Sequence, residues 1–311
     1  MDTNQSSRQE AEAYNPKLKA LVWSTIFIVT IPQIIHRLLV PLVPGEPYNS
    51  IWLDGTEVAI LAMLCLVTWM WTPARPLRGF FMAILALFAG VFFIWPYTYK
   101  SVSQLNWMQQ ASWGVQLVVL RVLLEHLVLI VPMALTLIGS GIGRRELFLV
   151  RGNPSAPFGP IRMQHTAYEE PTSWTRVVLA FLPYYIIVCG IVLALQVRPS
   201  MSQLYNVLIF LPAISIAAAI NAFGEEFEFR SMLLARLEPV FGGQSAILMS
   251  SALFGLLHYF GTPGGPLGVV LGGFLGWLLA KSMIDTRGFV WAFLIHFIAD
   301  FMVFGGWATL I

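Results

Sequence analysis

Gly224-Glu225-Glu226-Phe227-Glu228-Phe229-Arg230 sets three carboxylates and a guanidinium directly after an apolar run, Val207 to Phe223, in which Asn221 breaks the final turn. Near a bilayer centre each such charge costs roughly 2.5 to 3.5 kcal/mol, so the group does not persist facing lipid. It has to face a polar interior, and the rest of the chain reads as the wall around it. That wall is apolar: of 311 residues 57% are hydrophobic and 11% charged, where a soluble domain carries about 25% charged residues. The composition is that of a polytopic membrane protein. A net charge of +2 argues for no nucleic-acid partner, since the basic residues fall in short loops where they serve topology. Cys65 and Cys189 lie inside apolar runs and read as small core hydrophobes, without a disulfide framework.

Apolar windows predict spans at roughly 20–43, 51–72, 79–99, 114–139, 175–197, 204–234, 243–260, 264–282 and 288–310. The expected fold is all-α, with about nine transmembrane helices and a catalytic cavity in the C-terminal helical bundle. Residues 1–19 form a polar, cytoplasmic tail, 20–139 a four-span front part, 140–174 a cytoplasmic connector and 175–311 a catalytic membrane domain. The tail is too polar for a signal, so the run beginning at Ala20 reads as a retained anchor. Pro32, Pro132, Pro183 and Pro212 fall within spans and predict kinks. Arg75, Arg78, Arg144, Arg145, Arg151, Lys281 and Arg287 share one side with a cytoplasmic N-terminus, and Lys100 and Arg198 fall on the other, as does Ile311. Gly152-Asn153-Pro154 and Pro157-Phe158-Gly159-Pro160 make the connector irregular.

In the front part Arg121, Glu125 and His126 share the fourth span. Arg121 and Glu125 are four apart and read as a structural pair, the other reading being a polar wall of the same cavity. His36 and Arg37 stand late in the first span and read as interfacial; His165 reads as a solvated loop residue. The back part holds three i,i+4 pairs, Glu226 with Arg230, Phe254 with His258 and His296 with Asp300, each on one helical face. Asn221, Glu225 and Glu228 form a second, acid-rich stripe. Gly242-Gly243 lies midway between Glu225 and His258, so a turn there would give two arms of about 25 Å and set those residues level across a hairpin.

A carboxylate, an imidazole and a water within hydrogen-bond reach form a general-base unit. A second imidazole can donate to the oxyanion that appears when water attacks an amide carbonyl. No Ser or Cys is placed as a nucleophile beside these histidines, which favours attack by water. Glu225, His258 and His296 also make the ligand set of a catalytic zinc, although H-E-x-x-H is missing. Two readings from other classes use the same polar cavity: a non-proteolytic scaffold or receptor, and a proton-coupled transporter. The lack of a visible internal repeat counts against transport.

Glu225-Glu226-x-x-x-Arg230, Phe254-x-x-x-His258 and His296-x-x-x-Asp300, in that order on successive motif-bearing helices, resemble the CAAX protease and bacteriocin-processing family, the type II CAAX prenyl endopeptidase-like intramembrane proteases. The resemblance covers the back part and leaves the first four spans unmatched. It implies a glutamate-type endopeptidase without cofactor or metal, acting on a membrane-bound protein or peptide in the lipid bilayer and reached by water from the cytoplasmic side. By match, Glu225 and His258 activate water, His296 and Asp300 line the oxyanion side, and Glu226 and Arg230 support them. Prenyl endopeptidases typically carry Asn where this chain has Asp300. An Asn amide donates to an oxyanion, whereas an ionised Asp only accepts, so Asp300 is expected to orient His296 and leave it as the donor.

Overall fold

The computed structural model describes residues 15–42, 50–159 and 172–311. The tail through Tyr14, and Arg162 and His165 of the connector, lie outside them. Eight helical segments of the described residues are long and apolar enough to cross a membrane: α1 (Pro16–Leu39), α2 (Ile51–Met70), α3 (Thr72–Ser103), α4 (Trp113–Leu135), α5 (Trp174–Val197), α6 (Leu211–Phe260), α7 (Gly265–Thr286) and α8 (Val290–Ala308). The protein is an all-α integral membrane protein. Eight and the expected nine differ at one place. α6 contains Gly242 at φ 76° and ψ 161°, a kink at which one helix ends and another starts, at the place where the sequence divides spans six and seven. Glycine takes this conformation because it has no Cβ to clash.

The expected kinks at Pro32 and Pro212 are helix starts instead. Both prolines occupy the first turn after an interruption of the helix, where a missing N–H costs nothing. Pro132 and Pro183 lie within helices of α4 and α5. Met201–Ile209 forms a separate helix before α6, opened by a capping box of Ser200 and Gln203.

The chain forms two compact units, Met1–Tyr97 with Val128–Ile142 and Met232–Trp277, and Thr98–Leu127 with Gly143–Ser231 and Leu278–Ile311. Within the first, small residues let helices approach. A Cβ on Gly255 would lie 2.7 Å from the Gly273 Cα, so the distal arm of α6 and the first half of α7 touch backbone to backbone. Buried Arg236 donates through Nη2 to Thr136 Oγ1 at 3.0 Å. The Gln33 amide donates to Asp54 Oδ1 at 2.9 Å and Glu57 Oε2 at 3.0 Å, joining α1 to α2.

Within the second unit, Leu117 and Val122 of α4, Ile214, Ala217 and Ala218 of α6, and Phe304 and Ala308 of α8 form a buried cluster. The alanines in this cluster let α8 pack close against α6. The described part of the connector is irregular, as expected, and residues 150–154 are docked. Phe289 N donates to Val150 O at 2.9 Å, Asn153 N to Thr286 O at 2.8 Å, and the Trp291 indole to Pro154 O at 2.8 Å. Residues 150–154 are thus held on the turn between α7 and α8. Large apolar side chains such as Leu179, Ile187 and Leu195 of α5 are exposed, as lipid contact requires.

Candidate active site

The acidic stretch crosses a change of helical form. Leu211–Glu225 is α-helical, and Glu226–Ser231 is a π-helical turn. Such turns carry one residue more than an α turn and recur at functional sites. The wide turn separates three neighbouring carboxylates into different surroundings. Glu226 and Glu228 are sealed, at 0% and 1% exposure, while the Glu225 side chain is 24% exposed.

Glu226 is the structural anchor. Its Oε1 pairs with Arg230 Nη1 at 3.1 Å and accepts from His296 Nδ1 at 2.7 Å, so one buried carboxylate holds both a guanidinium and an imidazole. Burying Arg230 completely is sustained by this pairing. With Nδ1 fixed on Glu226, the other ring nitrogen of His296 points at two acids: Nε2 lies 3.3 Å from Glu225 Oε2 and 3.6 Å from Asp300 Oδ1. The bond that orients His296 therefore comes from Glu226. Asp300, expected to orient the ring, lies at a longer distance, on the ring's other nitrogen.

Asn221, one α-turn before Glu225, closes the group. Its amide nitrogen donates to Glu225 Oε1 at 3.2 Å and to Asp300 Oδ2 at 3.1 Å. Its carbonyl oxygen meets His126 Nε2 at 3.1 Å, and His126 Nδ1 lies 2.9 Å from Glu228 Oε1. The acid-rich stripe of Asn221, Glu225 and Glu228 is thus completed by a histidine from α4. Sequence reasoning named His126 only as one reading of a polar wall and placed Asn221 in the stripe without assigning it a chemical role. The available signal was the cost of two more polar side chains within apolar spans.

His258 belongs to the first unit. It stands where α6 ends, with Nδ1 donating to Phe254 O at 2.9 Å and its ring 4.1 Å from that of Phe254. The expected Phe254–His258 pair is therefore in contact, and the proton on Nδ1 makes Nε2 the accepting nitrogen. Gly272 gives the turn room, since a Cβ there would lie 2.7 Å from the His258 Cβ. Among the described residues no group of three or more His, Cys, Asp and Glu side chains is arranged to hold a metal ion.

Residues 206–302 match the family model for type II CAAX prenyl endopeptidase Rce1-like proteins. The match covers 97 of the 311 residues. All three motif pairs and Asn221 lie within the match, whereas His126 does not. The matched family is described as one of type II CAAX prenyl endopeptidases. No curated protein and no solved structure matches the chain.

Proposed function

We propose that the chain hydrolyses a peptide bond of a membrane-associated protein or peptide within the bilayer, with Glu225 as the base that takes a proton from water. The observation carrying this reading is the contrast among the three carboxylates. Glu225 alone of the three is part-exposed along its side chain, and it is held at both oxygens, by Asn221 on Oε1 and, with Oε2 itself buried, against His296 on the other. A base needs both access and a fixed direction.

The reaction then runs without a covalent intermediate. Glu225 accepts a proton, the hydroxide adds to the carbonyl carbon, and the oxyanion takes a hydrogen bond from Nε2–H of His296, which acts as the imidazolium because Nδ1 also donates to Glu226. Glu225 returns the proton to the leaving nitrogen as the C–N bond breaks. Glu226 holds His296 for this task and Arg230 holds Glu226. His258 receives its share in activating water from the motif, and its Nδ1 bond to Phe254 O leaves the basic nitrogen on the other side of the ring. Asp300, tied to Asn221, stands on the oxyanion side. The second unit also holds an apolar cavity of about 460 Å³ lined by Phe223, Phe289, Phe293 and Leu294, with Arg151 among its walls. It suits the apolar part of a membrane-anchored substrate.

The test compares new peptide termini by mass spectrometry in native-host membranes carrying wild type or Glu225→Ala at equal levels. Termini present only with wild type are expected, and EDTA should leave them in place because no step uses a metal. Identical termini from two folded proteins would return the chain to the scaffold reading.

A further inference from the structure

We propose that Asn221 is a positioning residue for the hydrolytic site, tying Glu225 to Asp300 in one orientation that His126 and Glu228 impose on its amide. This rests on Glu225 being the base.

Donor and acceptor counting carries the argument. A side-chain amide has two N–H donors and one carbonyl acceptor. Both donors of Asn221 are taken by carboxylate oxygens on different helices, at 3.2 Å on Glu225 and 3.1 Å on Asp300. With both carboxylates ionised, the amide turned over would set its carbonyl against two acids, leaving three acceptors face to face without a proton between them. The carbonyl must therefore point at His126, and His126 must present a proton on Nε2. The proton between His126 Nδ1 and Glu228 Oε1, at 2.9 Å, completes the chain. A buried network of this kind is stable only when every member has a partner.

The backbone is built to admit the histidine. Gly224 lies next to Glu225, and a Cβ there would overlap the His126 ring. The His126 side chain is 7% exposed and that of Glu228 1%, so water does not substitute for either contact. The result at Glu225 is a carboxylate with one oxygen pinned by a neutral donor and the other left towards His296. The same amide brings Asp300 alongside without adding a charge between two acids. A Glu225 free to rotate would spend less time aimed at the water it deprotonates.

The experiment measures cleavage of a substrate found by the terminus comparison, in membranes, with Glu225→Ala as reference. Asn221→Ala and Asn221→Asp should lower kcat by about 100-fold with KM unchanged, as a misaimed base does. Gln carries a donor where the Nε2–H of histidine lies and Asn does not reach it. His126→Gln should therefore keep about tenfold more activity than His126→Asn, the worth of one hydrogen bond to the network. Equal rates for those two, or a wild-type rate for Asn221→Ala while Glu225→Ala is dead, would overturn the inference and leave the protease standing. No effect of Glu225→Ala would sink the protease instead. A measurement on the unaltered protein covers variants that fail to fold. Glu125-His126 is the only Glu-His pair in the sequence, so pairwise isotope labelling assigns its ring nitrogens by solid-state NMR. A protonated Nε2 is expected, and a bare one rejects the scheme.

Discussion

Adjacent glutamates make the sharpest contrast at the level of single residues. Glu225 and Glu226 are neighbours in sequence, yet one side chain is 24% exposed and the other fully enclosed between Arg230 and His296. Removing the charge of each should have different consequences. Glu225→Gln keeps the shape and most of the contacts, so cleavage should vanish while thermal unfolding in detergent stays near wild type. Glu226→Gln leaves a buried guanidinium without its counter-charge, a loss of about 3 to 5 kcal/mol when one partner of such a pair is removed. Its unfolding temperature and folded yield should fall along with activity. Equal stability of the two variants would show that Glu226 is not the anchor. The pairing of Glu226 with Arg230 was legible from spacing alone. Its second bond, to His296, was not, because it joins residues seventy positions apart.

Among the elements, the π-helical turn Glu226–Ser231 decides how the acidic stretch is shared out. Counting in α-helical steps places Asn221, Glu225 and Glu228 in one stripe. The structure keeps that stripe by way of His126, with Glu228 delivered to the imidazole through the wider turn. A wide turn holds one extra residue, so removing one lets the backbone return to α form with the flanking helices still in register. Deletion of Phe227 should therefore leave the helix content by circular dichroism unchanged. It should cut cleavage by about tenfold or more, because Glu228 no longer meets His126. Undiminished cleavage would assign the turn to packing alone. The connector repeats the lesson. Glycine and proline marked it as irregular, but its docking on the α7–α8 turn depends on Trp291 and on backbone groups that carry no sequence signal.

At the scale of the whole molecule, the family match begins at residue 206, yet the second unit draws on α4 for its core and for its acid network. Leu117 and Val122 pack with Ile214 and Ala218, and His126 supplies the partner of Glu228. Lipid offers no hydrophobic drive to hold helices together, so lost packing and lost hydrogen bonds are not made good elsewhere. Residues 206–311 expressed alone should insert but fail to give a monodisperse, cleaving protein in detergent. Co-expression with residues 15–205 should restore cleavage. A fragment active by itself would confine the working unit to the matched segment.

Composition and apolar length by themselves determined that this is a multi-spanning helical membrane protein, because those properties are summed along the chain and need no partner. Helical spacing likewise determined the three motif pairs, since residues four apart share a face wherever the helix is packed. The tertiary structure decided which of the adjacent acids is open and which are sealed. It also decided that Glu226 orients His296, and that a histidine from the front part completes the back part's acidic stripe. These outcomes rest on donors and acceptors brought together from distant helices, and on a local π register, neither of which has a period that the sequence displays.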